Sequence, residues 1–314
     1  MSLPDFMLTG TEVSRSPGAH AHALTVLDVG PGVGTGDDRP EQPPPPFVTG
    51  VFNDMPAETY FAIEAISQSG AGKILKSPMH YITDRRKQKP PTETMIFGSA
   101  VHAGVLEPET FAQRVVVAPE FNKRTTVGKI GWESFRQANA GKITLTVDDY
   151  HRAQRCIDAV LSHPGARRML DGAIVETSLF WIDGKYKVPC KARLDIRSHG
   201  GITDLKTTAD ASPEEFAKSI ANYGYTIQSA HYFSGAEHTL DATPEFFIFI
   251  AVESQEPHAV ALYQMPSNGI LVGAHKMNIA LERYAAALAA GRWDGYPATI
   301  ETITLPRWAT TLNV

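Results

Sequence analysis

Cysteine is nearly absent: Cys156 and Cys190 are the only two in 314 residues. That excludes a cysteine-built zinc ribbon and a four-cysteine iron–sulfur cluster, and it offers no disulfide framework. A reducing cytoplasm is the simplest setting for such a chain. Long apolar runs are missing as well; none approaches the ~18 residues of a membrane span, so no membrane partner is expected. The N-terminus carries no basic segment followed by an apolar block, and no secretion signal is read there. An excess of positive charge is also lacking, with 29 Lys and Arg against 34 Asp and Glu and a net charge of −5. Nucleic-acid affinity comes mostly from cations meeting phosphates, so the total argues weakly against such a ligand. Charge acts locally, however, and basic clusters stand at Arg85-Arg86-Lys87-Gln88-Lys89, at Lys123-Arg124 and along Lys185 to Arg193.

Two glycine-rich stretches lack what a phosphate loop requires. Around Gly30-Pro31-Gly32-Val33-Gly34 neither the nucleotide-binding spacing nor a following helix is present. In Gly70-Ala71-Gly72-Lys73, Ile74 replaces the required Ser or Thr. ATP is therefore excluded as a ligand at both places. A Gly-x-Ser-x-Gly nucleophile elbow is absent, and no cysteine is placed near a histidine by motif, which removes support for metal-independent hydrolysis.

What remains is an ordinary globular composition, 43% hydrophobic and 20% charged. Residues 1–46, with Pro43-Pro44-Pro45-Pro46, read as a flexible Pro/Gly-rich leader. Residues 47–314 read as one domain, with folding under way by Val51. Ser67 predicts an N-cap for a helix through Ile74 and Leu75, stopped at Ser77-Pro78. A second helix is predicted from Met95 to Leu106, a loop from Glu120 to Gly131, and a helix from Val147 to Leu161. Then the character changes. Ile174–Trp181, Tyr186–Ile196 and Ile202–Thr207 read as strands joined by Asp183-Gly184 and His199-Gly200-Gly201 turns. Helices Pro213–Ala221 and Thr226–His238, strands Glu245–Val252 and Ala259–Gln264, and a long helix Ile270–Ala290 complete the pattern. Strands bracketed by helices without an internal repeat predict a single α/β or α+β domain.

The chemistry concentrates on two of these strands. Asp204 and Lys206 project to one face while Leu205 points to the other, because side chains alternate along a strand. If the neighbouring strand pairs, Asp195 approaches Asp204 on that face. Two crowded carboxylates repel, and magnesium is the natural counter-charge, a hard ion that takes carboxylate oxygen and keeps waters for phosphate. Lys206 would then supply positive charge to a phosphate or help deprotonate a metal-held water. His102 lies upstream on a predicted helix, four residues after Gly98. Downstream, Gln228 and Tyr232 share one helix face.

The whole series is His102, Glu176, Asp195, Asp204-x-Lys206 and Gln228-x-x-x-Tyr232. It resembles the PD-(D/E)xK nucleases of the RecB type, and within them the RecE-like (exonuclease VIII) nuclease domains. The likeness runs from about residue 50 to the end. It rests on Ile66-Ser67-Gln68-Ser69-Gly70 with Ser77-Pro78, Phe97-Gly98-Ser99-Ala100-Val101-His102, Leu106-Glu107-Pro108-Glu109 and Val117-Ala118-Pro119-Glu120-Phe121-Asn122. Asp204-Leu205-Lys206-Thr207-Thr208-Ala209-Asp210, Tyr225-Thr226-Ile227-Gln228 and Leu305-Pro306-Arg307-Trp308-Ala309 complete it.

The resemblance implies a restriction-endonuclease-like core, a central mixed sheet flanked by helices. It implies that His102, Asp195 and Asp204 bind metal with the Leu205 carbonyl, that Lys206 is the catalytic lysine, and that Gln228 and Tyr232 position it or the substrate. Glu176 would steer a second metal or its water. Magnesium is the implied cofactor, with manganese as a substitute. It further implies 5′-to-3′ digestion of duplex DNA ends, a homotetrameric ring threaded by DNA, and a RecT-type single-strand annealing partner in recombination. The same core would serve a single-strand- or structure-specific endonuclease. A non-catalytic DNA-binding or assembly module is the remaining reading, but such modules lose a carboxylate or the lysine, and here every position is filled.

Overall fold

Hydroxyl caps set where most of the longer helices begin. The side chains of Ser67, Ser77, Thr92, Thr125 and Thr146 each accept the backbone N–H three residues on, satisfying a donor that the first helical turn leaves unpaired. The computed structural model describes residues 47–306 apart from 88–89, 123 and 241–242. The expected leader, parts of two basic clusters and the end of the closing motif lie outside the described residues.

In chain order, β1 (Gly50–Phe52) and α1 (Ala57–Ala62) precede α2 (Gln68–Lys76) and α3 (Pro78–Arg86). Next come α4 (Glu93–Leu106), α5 (Pro108–Arg114), β2 (Val115–Val117), α6 (Thr126–Ala138) and β3 (Ile143–Leu145). Helices α7 (Val147–Ser162) and α8 (Pro164–Leu170) lead into β4 (Ile174–Ile182), β5 (Pro189–Ser198) and β6 (Gly201–Thr208). Helices α9 (Pro213–Asn222) and α10 (Tyr225–Thr239) cross over to β7 (Phe247–Glu253), β8 (Val260–Gln264) and the long α11 (Ser267–Ala290).

The central sheet is mixed, in the order β1-β4-β5-β6-β7-β8, with β6 and β7 parallel and the other pairs antiparallel. A parallel pair needs a long crossover, and α9 with α10 provides it. Helices cover both faces. Leu179, Trp181, Leu194, Ile202, Phe247 and Phe249 pack with Ile74, Ala236 and Met277 of α2, α10 and α11. On the opposite face Ile196, Leu205, Ile250 and Val252 meet Phe97, Val101, Val105, Ile157 and Val160 of α4 and α7. A smaller cluster joins Phe47, Tyr60 and Ile63 to Phe180. Each large apolar side chain buried this way contributes roughly 1.5–3 kcal/mol. The α/β class expected from the strand and helix pattern is the one observed. Among the described residues no helix is long and apolar enough to cross a membrane.

One expectation fails. The stretch Glu120 to Gly131 contains the start of α6 and is not a loop throughout. The stretch is polar, but Gly128 and Gly131 allow close approach. A Cβ at Gly128 would sit 2.1 Å from the Asn122 carbonyl oxygen, and one at Gly131 would sit 3.0 Å from the Phe121 ring. Phe121 packs against Trp132 and Phe135 at centroid distances of 6.0 and 5.9 Å, and the Thr125 cap starts the helix. Small elements β1 to β3, α1, α3, α5 and α8 were also not anticipated; they are too short to show a period. The strand expected from Tyr186 starts instead at Pro189, because Lys187 turns at φ 57° and the Asp183 carboxylate holds the Tyr186 N–H.

Candidate metal centre

Asp195 and Asp204 stand opposite each other one step beyond Ile196↔Thr203, the last rung at which β5 and β6 pair. On the other side of β5 the ladder pairs Val175 with Ile196 and Thr177 with Leu194, skipping the rung where Glu176 faces Asp195. Three carboxylates thus share one row across three strands. Regular alternation breaks at this row. Leu194 and Ile196, two residues apart, belong to opposite cores, and so do Val175 and Leu179. Glu176 itself adopts φ 53°, a left-handed conformation that costs a non-glycine residue about 1–3 kcal/mol. In place of a strand partner, the Leu205 N–H donates to Asp195 Oδ2 at 2.9 Å.

Helix α4 brings the imidazole. Its approach to β6 depends on Gly98, where a Cβ would lie 3.2 Å from Thr207 Oγ1. One turn on, His102 Nε2 donates to the Leu205 carbonyl oxygen at 2.7 Å, and Nδ1 lies 3.6 Å from Asp195 Oδ2. The side-chain donors of His102, Glu176 and Asp195 all fall within 4.8 Å of one another. Glu176, which sequence reasoning left at the margin, is therefore central. Arg193 holds it by an ion pair, while its guanidinium also donates to Ser178 Oγ at 2.8 Å and to the Met55 carbonyl at 2.9 Å.

Asp204 stands outside that close group and belongs to a second network. Its Oδ1 accepts from Gln228 Nε2 at 2.6 Å, and the same amide donates to Tyr232 Oη at 3.2 Å. Both residues are buried on α10, one turn apart, as the i, i+4 spacing anticipates. Lys206 Nζ lies 2.5 Å from Asp204 Oδ2. This ion pair is the charge partner of the buried Oδ2. The ammonium also sits 4.7 Å above the Tyr225 ring, a cation–π contact that sequence reasoning missed. Its signal was Tyr225 three positions before Gln228 on the same helix.

The charges are out of balance. Burial and then the Asp204 carboxylate push Asp195 up to about 7, although His102 and Lys206 pull it back. Burial alone would depress Lys206, but Asp204 and Asp195 outweigh it and hold the ammonium more firmly charged than usual. Burial and the same carboxylates raise the Tyr232 hydroxyl well above its ordinary range, so it stays protonated. A half-buried site with clustered carboxylates, one imidazole and a nearby backbone carbonyl fits a hard or borderline divalent cation. Above it a cavity of about 420 Å³ runs from Glu176 and Asp195 past Tyr60 and Phe61 to Ser69, Lys73 and Arg85.

The basic run Lys185 to Arg193 does not form one patch. Lys185 and Lys187 are exposed in the β4–β5 turn. Lys191 is buried and donates to the Tyr60 and Ile63 carbonyls at the end of α1, at 2.8 and 2.7 Å. Alternation along β5 turns Lys191 and Arg193 away from the surface occupied by the turn. The Gly70-Ala71-Gly72-Lys73 stretch is part of α2, a continuous helix.

Residues 67–306 match the model of a family described as a PDDEXK-like domain of unknown function, DUF3799. The chain belongs to this family. The PDDEXK-like assignment agrees with the mixed sheet flanked by helices. A crystal structure from Eubacterium rectale, provisionally named an exonuclease, is similar to this PDDEXK-like chain with a TM-score of 0.56 and 13% identity. The alignment covers 83% of this chain and 99% of that one, and at such identity it shows the fold alone. Another solved structure, SSO0001, aligns at 16% identity over 60% of this chain and 85% of its own, with a TM-score of 0.27. No curated protein matches.

Proposed function

We propose that this chain is a magnesium-dependent deoxyribonuclease that digests linear duplex DNA from its 5′ ends, leaving 3′ single-stranded tails. One observation carries the hydrolytic part: three carboxylates line one interrupted row of the sheet, with an imidazole against it and a half-buried ammonium beside it. His102, Glu176, Asp195 and the Leu205 carbonyl would hold the cation, with Asp204, paired to Lys206, beside it. Bound there, a divalent ion supplies charge to polarise a phosphodiester and to acidify a water.

The chain's own groups do the remaining work. Asp195 is fixed by the Leu205 N–H, so its second oxygen is free to bind or to orient a water. Gln228 locks the Asp204 carboxylate in one orientation and is itself steadied by Tyr232. Lys206 keeps its proton, and it therefore stabilises charge developing on the phosphate and does not act as a base. The cavity beside Asp195 would receive the strand end, and the scissile bond would leave a 5′-phosphate on the product.

The exonucleolytic polarity, the ring-shaped tetramer and the RecT-type annealing partner rest on the RecE-like resemblance of the sequence. In a ring, basic residues such as Lys185 and Lys187 would line the channel while acidic ones face outward. Duplexes labelled at the 5′ or the 3′ strand end, incubated with magnesium, test the reading against a closed circle. Release from the 5′ end with the circle intact is expected; cutting of the circle would instead mark an endonuclease. Light scattering of the active species tests the tetramer, and a monomer would overturn it.

A further inference from the structure

An aromatic path leads out of the metal centre to the surface. Helix α9 ends at Asn222 with Tyr223 as its C-cap, and Gly224, at φ 71°, reverses the chain into α10. That turn places Tyr225 over the Lys206 ammonium at 4.7 Å and sets Tyr223 beside Tyr225 at a centroid distance of 5.9 Å and an angle of 36°. Tyr225 is anchored from below, its ring 5.4 Å from Phe249 and 6.2 Å from Phe216. Tyr223 is not: it is 71% exposed. The fold gains little from so large a side chain in water, and Lys206 needs only the inner ring.

We infer that Tyr223 is a stacking platform for a nucleobase of the strand whose phosphate lies at Lys206. This rests on the proposed nuclease activity and adds a substrate contact to it. A phosphate drawn to Lys206 leaves its nucleoside to be placed nearby, and the open π-face next along the path is that of Tyr223. Every base has a π-face, so the contact is indifferent to sequence, as an enzyme that moves along DNA requires. No cation is needed at this position. The acidic first turn of α9, Glu214 and Glu215, lies about 12–14 Å away along the helix axis, too far to repel a base held at the other end. Tyr223 would be a binding residue, not a catalytic one.

The test uses full-length protein and oligonucleotides carrying 2-aminopurine at successive positions from the 5′ end. In EDTA, one position is expected to be quenched by the wild type, with the quench lost in Tyr223→Ala and kept in Tyr223→Phe and Tyr223→Trp. In magnesium, Tyr223→Ala is expected to raise KM about tenfold with kcat held, the size of one lost base–aromatic stack. An abasic site at the quenched position should erase the difference between Tyr223→Ala and wild type. Equal KM in all variants, or an unchanged difference on the abasic strand, would overturn the inference while hydrolysis by the wild type leaves the nuclease reading standing. Tyr223→Ala changing the molecular mass in light scattering would show a subunit contact instead and overturn it too. A wild type that neither binds nor cuts any strand would bring down both.

Discussion

Gln228 offers the sharpest separation between a polar role and a packing role. It is 4% exposed and donates both to Asp204 Oδ1 at 2.6 Å and to Tyr232 Oη at 3.2 Å. Gln228→Leu keeps the volume and removes both bonds. A hydrogen bond to a buried charged group contributes about 1.5–3 kcal/mol and a neutral one about 1. The variant should therefore lose roughly 2–4 kcal/mol, or about 5–10 °C in Tm for a domain of this size. Gln228→Glu keeps the shape and sets a second carboxylate against Asp204, whose one cationic partner, Lys206, is already engaged by its other oxygen. If Gln228 only filled space, Glu would be the milder change. On the polar reading it is the worse one without metal, and magnesium restores part of its loss by offsetting the added charge. Thermal unfolding with and without magnesium, followed by hydrolysis of an end-labelled duplex, reads both effects. Expected in hydrolysis is a fall in kcat of about a hundredfold for Leu, the scale of a misplaced catalytic group. A Glu variant as stable as wild type in EDTA, or a Leu variant with unchanged kcat, would refute this account.

Lys206→Met should lower kcat by at least about a hundredfold, the loss seen when one preorganised charge donor is removed, and an unchanged kcat in single-turnover assays would contradict its role. Magnesium at about a hundred times its dissociation constant should stabilise the protein by about 2.7 kcal/mol; a Tm indifferent to magnesium in wild type, measured beside Asp195→Ala, would argue against the centre. Gly273→Ala should cost more than about 3 kcal/mol, because its Cβ would lie 1.8 Å from the Thr226 carbonyl oxygen of α10; near-wild-type urea unfolding would contradict that packing. His231 is buried with its ring donating to the Lys191 carbonyl at 3.0 Å, and burial lowers it to about 4. Its folded value lies below the unfolded one, so its contribution is fully present above about pH 6.5 and is lost as pH falls toward 4, by roughly 3 kcal/mol. Urea unfolding across that range should show the slope in wild type and lose it in His231→Gln.

The parts of the centre that depend on simple periods were legible in sequence. Alternation put Asp204 and Lys206 on one face and sent Leu205 into the core, and helical spacing put Gln228 under Tyr232. The parts that depend on a departure from periodicity were not. No pattern announces that Glu176 takes a left-handed turn inside a strand, or that Asp195 accepts a neighbouring strand's N–H in place of a ladder bond. Charge counting misled for a similar reason: Lys191 and Arg193 stand in the basic cluster Lys185 to Arg193, yet both turn inward, against carbonyls and a carboxylate. At the start of α6 the polar stretch read as a loop because the neighbours that Gly128 and Gly131 admit across space, Asn122 and Phe121, are invisible to a local reading.

The bond between Leu205 N–H and Asp195 gives one side chain two employers. Removing the metal chemistry by evolution would still leave a sheet whose open rung needs an acceptor at position 195. Relatives that have abandoned hydrolysis should thus retain Asp or drift to Asn there, while position 206, whose side chain bonds no strand backbone, is released first. Among descendants of this fold, loss would follow an order written by the backbone and not by the reaction.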